Sequence, residues 1–96
     1  QQTAYADYLL TKKALAEFTQ MAAVQWGPAI RINGISPGMI LPPVNHQKDD
    51  RQKRANKIPL KRVGNPTYLL KALDLLLQND YMTGQIIAVD GGEGLI

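Results

Sequence analysis

Cysteine is absent from this chain. Without a thiol, neither a disulfide framework nor a thiolate metal site can form. Histidine occurs once, as His46, so a multi-histidine metal centre is excluded too, no metal is expected and His46 is assigned no role. No apolar run approaches the roughly 20 residues that cross a bilayer, and no signal-peptide pattern opens the chain. A soluble, cytoplasmic protein without a membrane partner is therefore expected. Positive charge is concentrated: seven of the eleven lysines and arginines fall from Lys48 to Arg62, offset only by Asp49 and Asp50. No aromatic residue interleaves with them, which argues against nucleic acid as a partner. What is present is 96 residues, 45% hydrophobic and 20% charged, an ordinary globular composition with room for one domain at most.

The hydrophobic pattern predicts a helix over Tyr8–Trp26, where Leu10, Ala14, Phe18, Met21 and Ala22 recur at helical spacing. Gly27-Pro28 ends it. "AIRINGIS" then alternates Ile30 and Ile32 with Arg31 and Asn33, a short strand bounded by Pro28 and Pro37-Gly38. The prolines and glycine of "PGMILPPVN" make a loop. Asp49–Lys57 reads as a short polar helix with both aspartates in its first turn. After the irregular "IPLKRVGNP", Asn65 caps a helix whose first residue is Pro66. Leu69, Leu70, Leu73, Leu76 and Leu77 give that helix a wide apolar face, to about Asn79. Thr83-Gly84 turns the chain into a second strand, "QIIAVDGG", stopped by Gly91-Gly92.

The path from one strand to the other is a crossover, which implies parallel pairing. Two parallel strands do not make a stable sheet, because parallel sheets are covered on both faces and need more strands. The first helix also lacks a strand to launch it. The sequence therefore reads as the second half of a doubly wound α/β domain.

Four motifs in order carry a family resemblance: Tyr8-x-x-x-Lys12 continued by Lys13-Ala14-Leu15, then "RINGISPG", "PLKRVGNP" and "MTGQIIAVDGG". Together they resemble the short-chain dehydrogenases/reductases over essentially the whole chain. The resemblance implies that residues 1–96 are the C-terminal portion of one Rossmann-type domain, with the N-terminal cofactor-binding half, and any upstream serine or aspartate, lying outside the chain. That missing half is then the first partner, and the 96 residues alone are expected to be inactive. "PGMILPP", "DDRQKRANKIPLKR" and "VDGGEGLI" are most similar to bacterial pteridine and dihydromonapterin reductases.

Reduction of a C=O or C=N bond needs a proton along with the hydride. A tyrosine can supply it, and a lysine four residues on lies on the same helix face, where its charge favours the phenolate. Tyr8 and Lys12 have that spacing. Tyr5 does not, since position 9 is leucine, and Lys13 lies about 100° round the helix. The resemblance implies that Tyr8 and Lys12 are catalytic and also contact the cofactor, Lys12 through the nicotinamide ribose. It further implies that Pro37, Gly38, Met39 and Ile40 border the nicotinamide, and that Leu41 and Pro42 border the substrate. Gly38 suits a close backbone approach to a flat ring beyond a strand's carboxyl end; a plain turn is the other reading. Many relatives place a threonine shortly after the Pro-Gly turn, but here Leu41-Pro42-Pro43 occupies that neighbourhood. The basic segment resembles a lid over the substrate, either a solvated helix or an attractor of anionic groups.

The expected function is thus reduction of a pterin or dihydrofolate with NADPH, NADH remaining open, in a homotetramer or homodimer. The alternatives are a reductase of another small molecule, such as a 3-oxoacyl thioester or a sugar, and a truncated chain whose helices serve association alone.

Overall fold

The computed structural model describes residues 2–38 and 48–96, with side chains described in 12–38 and 52–96. It divides into two units, Gln1–Gly34 with Asn79–Ile86 and Ile35–Gln78 with Ile87–Ile96.

The first unit is built on helix α1, Gln2–Trp26, which begins six residues before the start that periodicity suggests. It stops where expected: the Gly27 amide still donates to the Ala23 carbonyl at 3.2 Å, and Pro28 cannot continue the pattern. Ala22 and Ala23 are buried, whereas Leu15, Phe18, Met21 and Val24 are exposed. Gly84 holds a φ of +75°, and a side chain there would lie 3.3 Å from the Ala23 Cβ. The turn thus needs glycine for its backbone and leaves little space beside α1.

Strand β1, Gly34–Pro37, starts five residues later than the alternation of "AIRINGIS" implies. The reason is that Arg31 and Asn33 spend their side chains on the backbone of residues 79–85. Arg31 Nη1 donates to the carbonyls of Asn79 and Met82, and Asn33 Nδ2 donates to Met82 at 2.9 Å. Asn33 Oδ1 accepts the Gln85 amide at 3.0 Å, and Thr83 Oγ1 accepts the Ile32 amide at 3.0 Å. These bonds stand in for much of a regular ladder through 31–33.

β1 pairs with strand β2, Ile86–Val89. Gly34 N donates to Gln85 O at 2.8 Å and Gly38 N to Val89 O at 3.2 Å. Donor and acceptor advance together, so the strands are parallel, as the crossover requires.

In the second unit, helix α2 spans Lys48–Lys57 and helix α3 spans Pro66–Gln78. Asn65 caps α3 as anticipated, its Oδ1 accepting the Thr67 amide at 2.8 Å while its carbonyl accepts from Tyr68. Ala55, Ile58, Ala72 and Leu76 are buried. Most of the expected α3 leucine face is not, since Leu70, Leu73 and Leu77 are exposed, as is Leu75. A 3₁₀ turn, Glu93–Leu95, follows β2.

Candidate active site

In the first unit, α1 carries two of the candidate residues, Tyr8 and Lys12. It is continuous helix through positions 8 and 12, so the two Cα atoms stand one turn apart on one face. Lys12 and Lys13 are both exposed. The Tyr8 side chain lies outside the described residues.

In the second unit, the candidate residues Pro37 and Gly38 lie at the carboxyl end of β1. Pro37 closes the strand and is exposed, and Gly38 follows, half-buried. A side chain at Gly38 would fall 2.7 Å from Asp90 Cβ, 2.9 Å from Asp90 Cα and 2.9 Å from Glu93 Oε1. Packing against Asp90 therefore suffices to demand glycine at this position, whether or not a ring also approaches it. Met39, Ile40, Leu41 and Pro42, like His46, lie outside the described residues.

Sequence reasoning passed over what stands behind Gly38. Asp90 organises the turn after β2: its Oδ1 accepts the Gly92 amide at 2.9 Å, and its Oδ2 accepts the Gly94 amide at 3.0 Å. An aspartate before two glycines is a local signal for such a turn, and Gly91 and Gly92 both take positive φ. Glu93 then pairs with Arg54 of α2, with Arg54 Nη2 and Glu93 Oε2 3.0 Å apart. That pairing joins residues far apart in sequence and has no local signature.

The basic segment is partly engaged within its own unit. Beyond the Arg54 pair, Lys61 Nζ donates to the Asn56 carbonyl at 2.8 Å. Arg62 Nη1 donates to the Tyr68 hydroxyl at 3.0 Å, and its guanidinium carbon stands 5.3 Å from that ring's centre. Lys71 approaches the same ring at 5.7 Å. Lys53 and Lys57 are exposed on α2. A cavity of about 460 Å³ lies beside Tyr68, floored by Ile58, Leu60, Ala88 and Asp90. Among the described residues, no cluster of side chains could hold a metal ion, and no helix is long and apolar enough to cross a membrane.

Comparison with known proteins bears on this arrangement. The model of a family described as enoyl-(acyl carrier protein) reductase matches residues 1–93. The chain is 34% identical over 88 residues to dihydromonapterin reductase of Enterobacter sp. (strain 638), covering 92% of this chain and 37% of that protein. It is 34% identical over 92 residues to a glucose and ribitol dehydrogenase homolog of Oryza sativa subsp. japonica, covering 90% of this chain and 31% of that protein. Among solved structures, it resembles FolM alternative dihydrofolate reductase 1 of Brucella suis in complex with NADP, with a TM-score of 0.84 and 35% identity, over 93% of this chain and 36% of that one. The chain thus spans about a third of the length of these relatives.

Proposed function

The chain belongs to the short-chain dehydrogenase/reductase family, and from that premise we propose that it is the C-terminal part of an NADPH-dependent reductase acting on a pterin or a dihydrofolate. The observation that carries the choice of substrate is the likeness to a dihydrofolate reductase structure holding NADP, at 35% identity and a TM-score of 0.84. The dihydromonapterin reductase match points the same way.

In this reading NADPH, once bound, supplies a hydride to a C=N bond of the substrate. Tyr8 delivers the matching proton to the nitrogen from its phenolic oxygen. Lys12 holds positive charge on the same helix face, which eases that transfer, and it donates hydrogen bonds to the ribose hydroxyls. The exposed ammonium of Lys12 suits that task chemically. Pro37 and Gly38, at the carboxyl end of a parallel strand, occupy the position where open α/β sheets bind ligands. Main-chain groups of Met39 and Ile40 would border the nicotinamide, and Leu41 and Pro42 the substrate. NADH is the alternative cofactor. In the same reading the working protein is a cytoplasmic homotetramer or homodimer.

The second reading, reduction of a sugar or other carbonyl compound, is favoured by the rice glucose and ribitol dehydrogenase homolog at the same 34% identity. The deciding experiment is NADPH oxidation by the protein that carries this chain, with a dihydropterin, dihydrofolate, a 3-oxoacyl thioester and a sugar as substrates. The pterin reading expects the first two to lead in kcat/KM by at least about tenfold, roughly 1.4 kcal/mol of transition-state binding. A lead for the sugar or thioester would replace it.

A further inference from the structure

Glu93 gathers three separate segments of the second unit. Its Oε2 accepts from Arg54 of α2 twice, from Nε at 3.2 Å and Nη2 at 3.0 Å. Its other carboxylate oxygen, Oε1, lies 2.9 Å from the place a side chain at Gly38 would take. The Glu93 backbone is fixed as well, its amide donating to the Asp90 carbonyl at 3.0 Å.

The same turn grips the exit of α2. Leu60 N donates to Gly91 O at 3.1 Å. A side chain at Gly92 would strike Pro59 Cγ at 2.7 Å. Glu93 thus holds α2 through Arg54 while its other carboxylate oxygen fills the space a side chain at Gly38 would need. The Glu93 side chain is 23% exposed against 53% for Arg54, so the acid is the more firmly packed partner and the arginine the one able to detach.

We propose that Glu93 is a positioning residue: its carboxylate clamps α2 to the turn after β2, beside Gly38, and thereby sets how well the adjoining site binds its substrate. The part concerning substrate rests on the reductase reading above. The clamp itself does not, because it is defined by the Gly38–Glu93–Arg54 geometry.

The test is a double-mutant cycle in the protein that carries this chain, with Glu93→Gln, Arg54→Met and the pair together. Hydrogen exchange of the amides of residues 52–57 reads the clamp, and steady-state kinetics with a dihydropterin read its consequence. A half-exposed ion pair supports a two- to fivefold change, so each single variant should speed exchange by about that factor. The double variant should add nothing further, because either change alone opens the same contact. KM should rise by a similar factor while kcat stays within about twofold, the pattern of lost uniform binding.

Unchanged exchange in the single variants, or effects that multiply in the double, would overturn the clamp. Faster exchange with an unmoved KM would overturn its role in substrate binding. A parent protein that reduces no pterin would sink the substrate reading instead, and the exchange cycle would then judge the clamp by itself.

Discussion

Arg31 Nη1 donates to the carbonyls of both Asn79, at 3.2 Å, and Met82, at 3.0 Å. Asn33, two residues on, donates to Met82 and accepts from the Gln85 amide. Two side chains at the entry to β1 thus satisfy the backbone of the segment entering β2. Asn33→Ala should remove one of the two donors to the Met82 carbonyl, which Arg31 still serves, and the acceptor of the exposed Gln85 amide, and cost about 0.5–1.5 kcal/mol. Asn33→Asp keeps the acceptor for Gln85 but turns a carboxylate oxygen on the Met82 carbonyl, so its cost should be of the same order. Urea unfolding of the protein that carries this chain measures both. Full stability in both variants would show that these bonds are replaced by water.

That arrangement also shows where sequence reading reaches its limit. Asn65-Pro66 could be read as a cap because donor and acceptor lie two residues apart, and the structure has that bond. The parallel pairing followed from the length of the crossover between two apolar runs. The start of β1 was misplaced because alternation of Ile30 and Ile32 with polar residues looks the same whether the polar side chains face water or bond to a distant loop. In the candidate site, helical spacing put Tyr8 and Lys12 on one face, and the family resemblance supplied their proposed catalytic role. The Arg54–Glu93 pair was not, because its members are 39 residues apart in sequence and only the folded second unit brings them together.

Gly38 tests packing against ligand binding. An added methyl would lie 2.9 Å from Asp90 Cα, a backbone atom that cannot swing aside. Gly38→Ala should therefore lower stability by about 1–3 kcal/mol, the usual cost of overpacking, even in the absence of cofactor. Thermal unfolding of the cofactor-free protein separates the two causes. A variant that unfolds like the parent yet binds NADPH poorly would mean that the glycine serves ring approach alone.

Tyr8→Phe removes the proposed proton donor and leaves α1 intact. The expected loss in kcat is about 10² to 10⁴, the range for general acid catalysis. Lys12→Met should lower kcat and raise the KM for NADPH, since it removes both the proposed charge next to the proton donor and the proposed ribose contact. Lys13, equally exposed but about 100° away round the helix, should tolerate Met with little change. Steady-state kinetics of the three variants are sufficient. Equal behaviour of the two lysine variants would move the assignment off Lys12, and near-parent turnover in Tyr8→Phe would remove the tyrosine from the mechanism.

The remaining prediction concerns the charge on α2. Among the described residues of the basic segment, Arg54 is tied to Glu93, Lys61 to the Asn56 carbonyl and Arg62 to Tyr68, which leaves the exposed Lys53 and Lys57 as the better candidates for attracting an anionic substrate. A dihydrofolate differs from a simple dihydropterin by a tail carrying carboxylates. If α2 lies over the substrate, as the family likeness implies, that tail meets these lysines. Each exposed charge contributes at most about 1 kcal/mol, and less as salt shortens the reach of the field. Together they should favour the dihydrofolate by up to about tenfold in kcat/KM at low ionic strength, fading toward parity at high salt. Lys53→Gln with Lys57→Gln should flatten that salt dependence and leave the dihydropterin rate unchanged. A substrate ratio indifferent to both salt and the substitutions would make α2 a solvated helix with no electrostatic part in recognition.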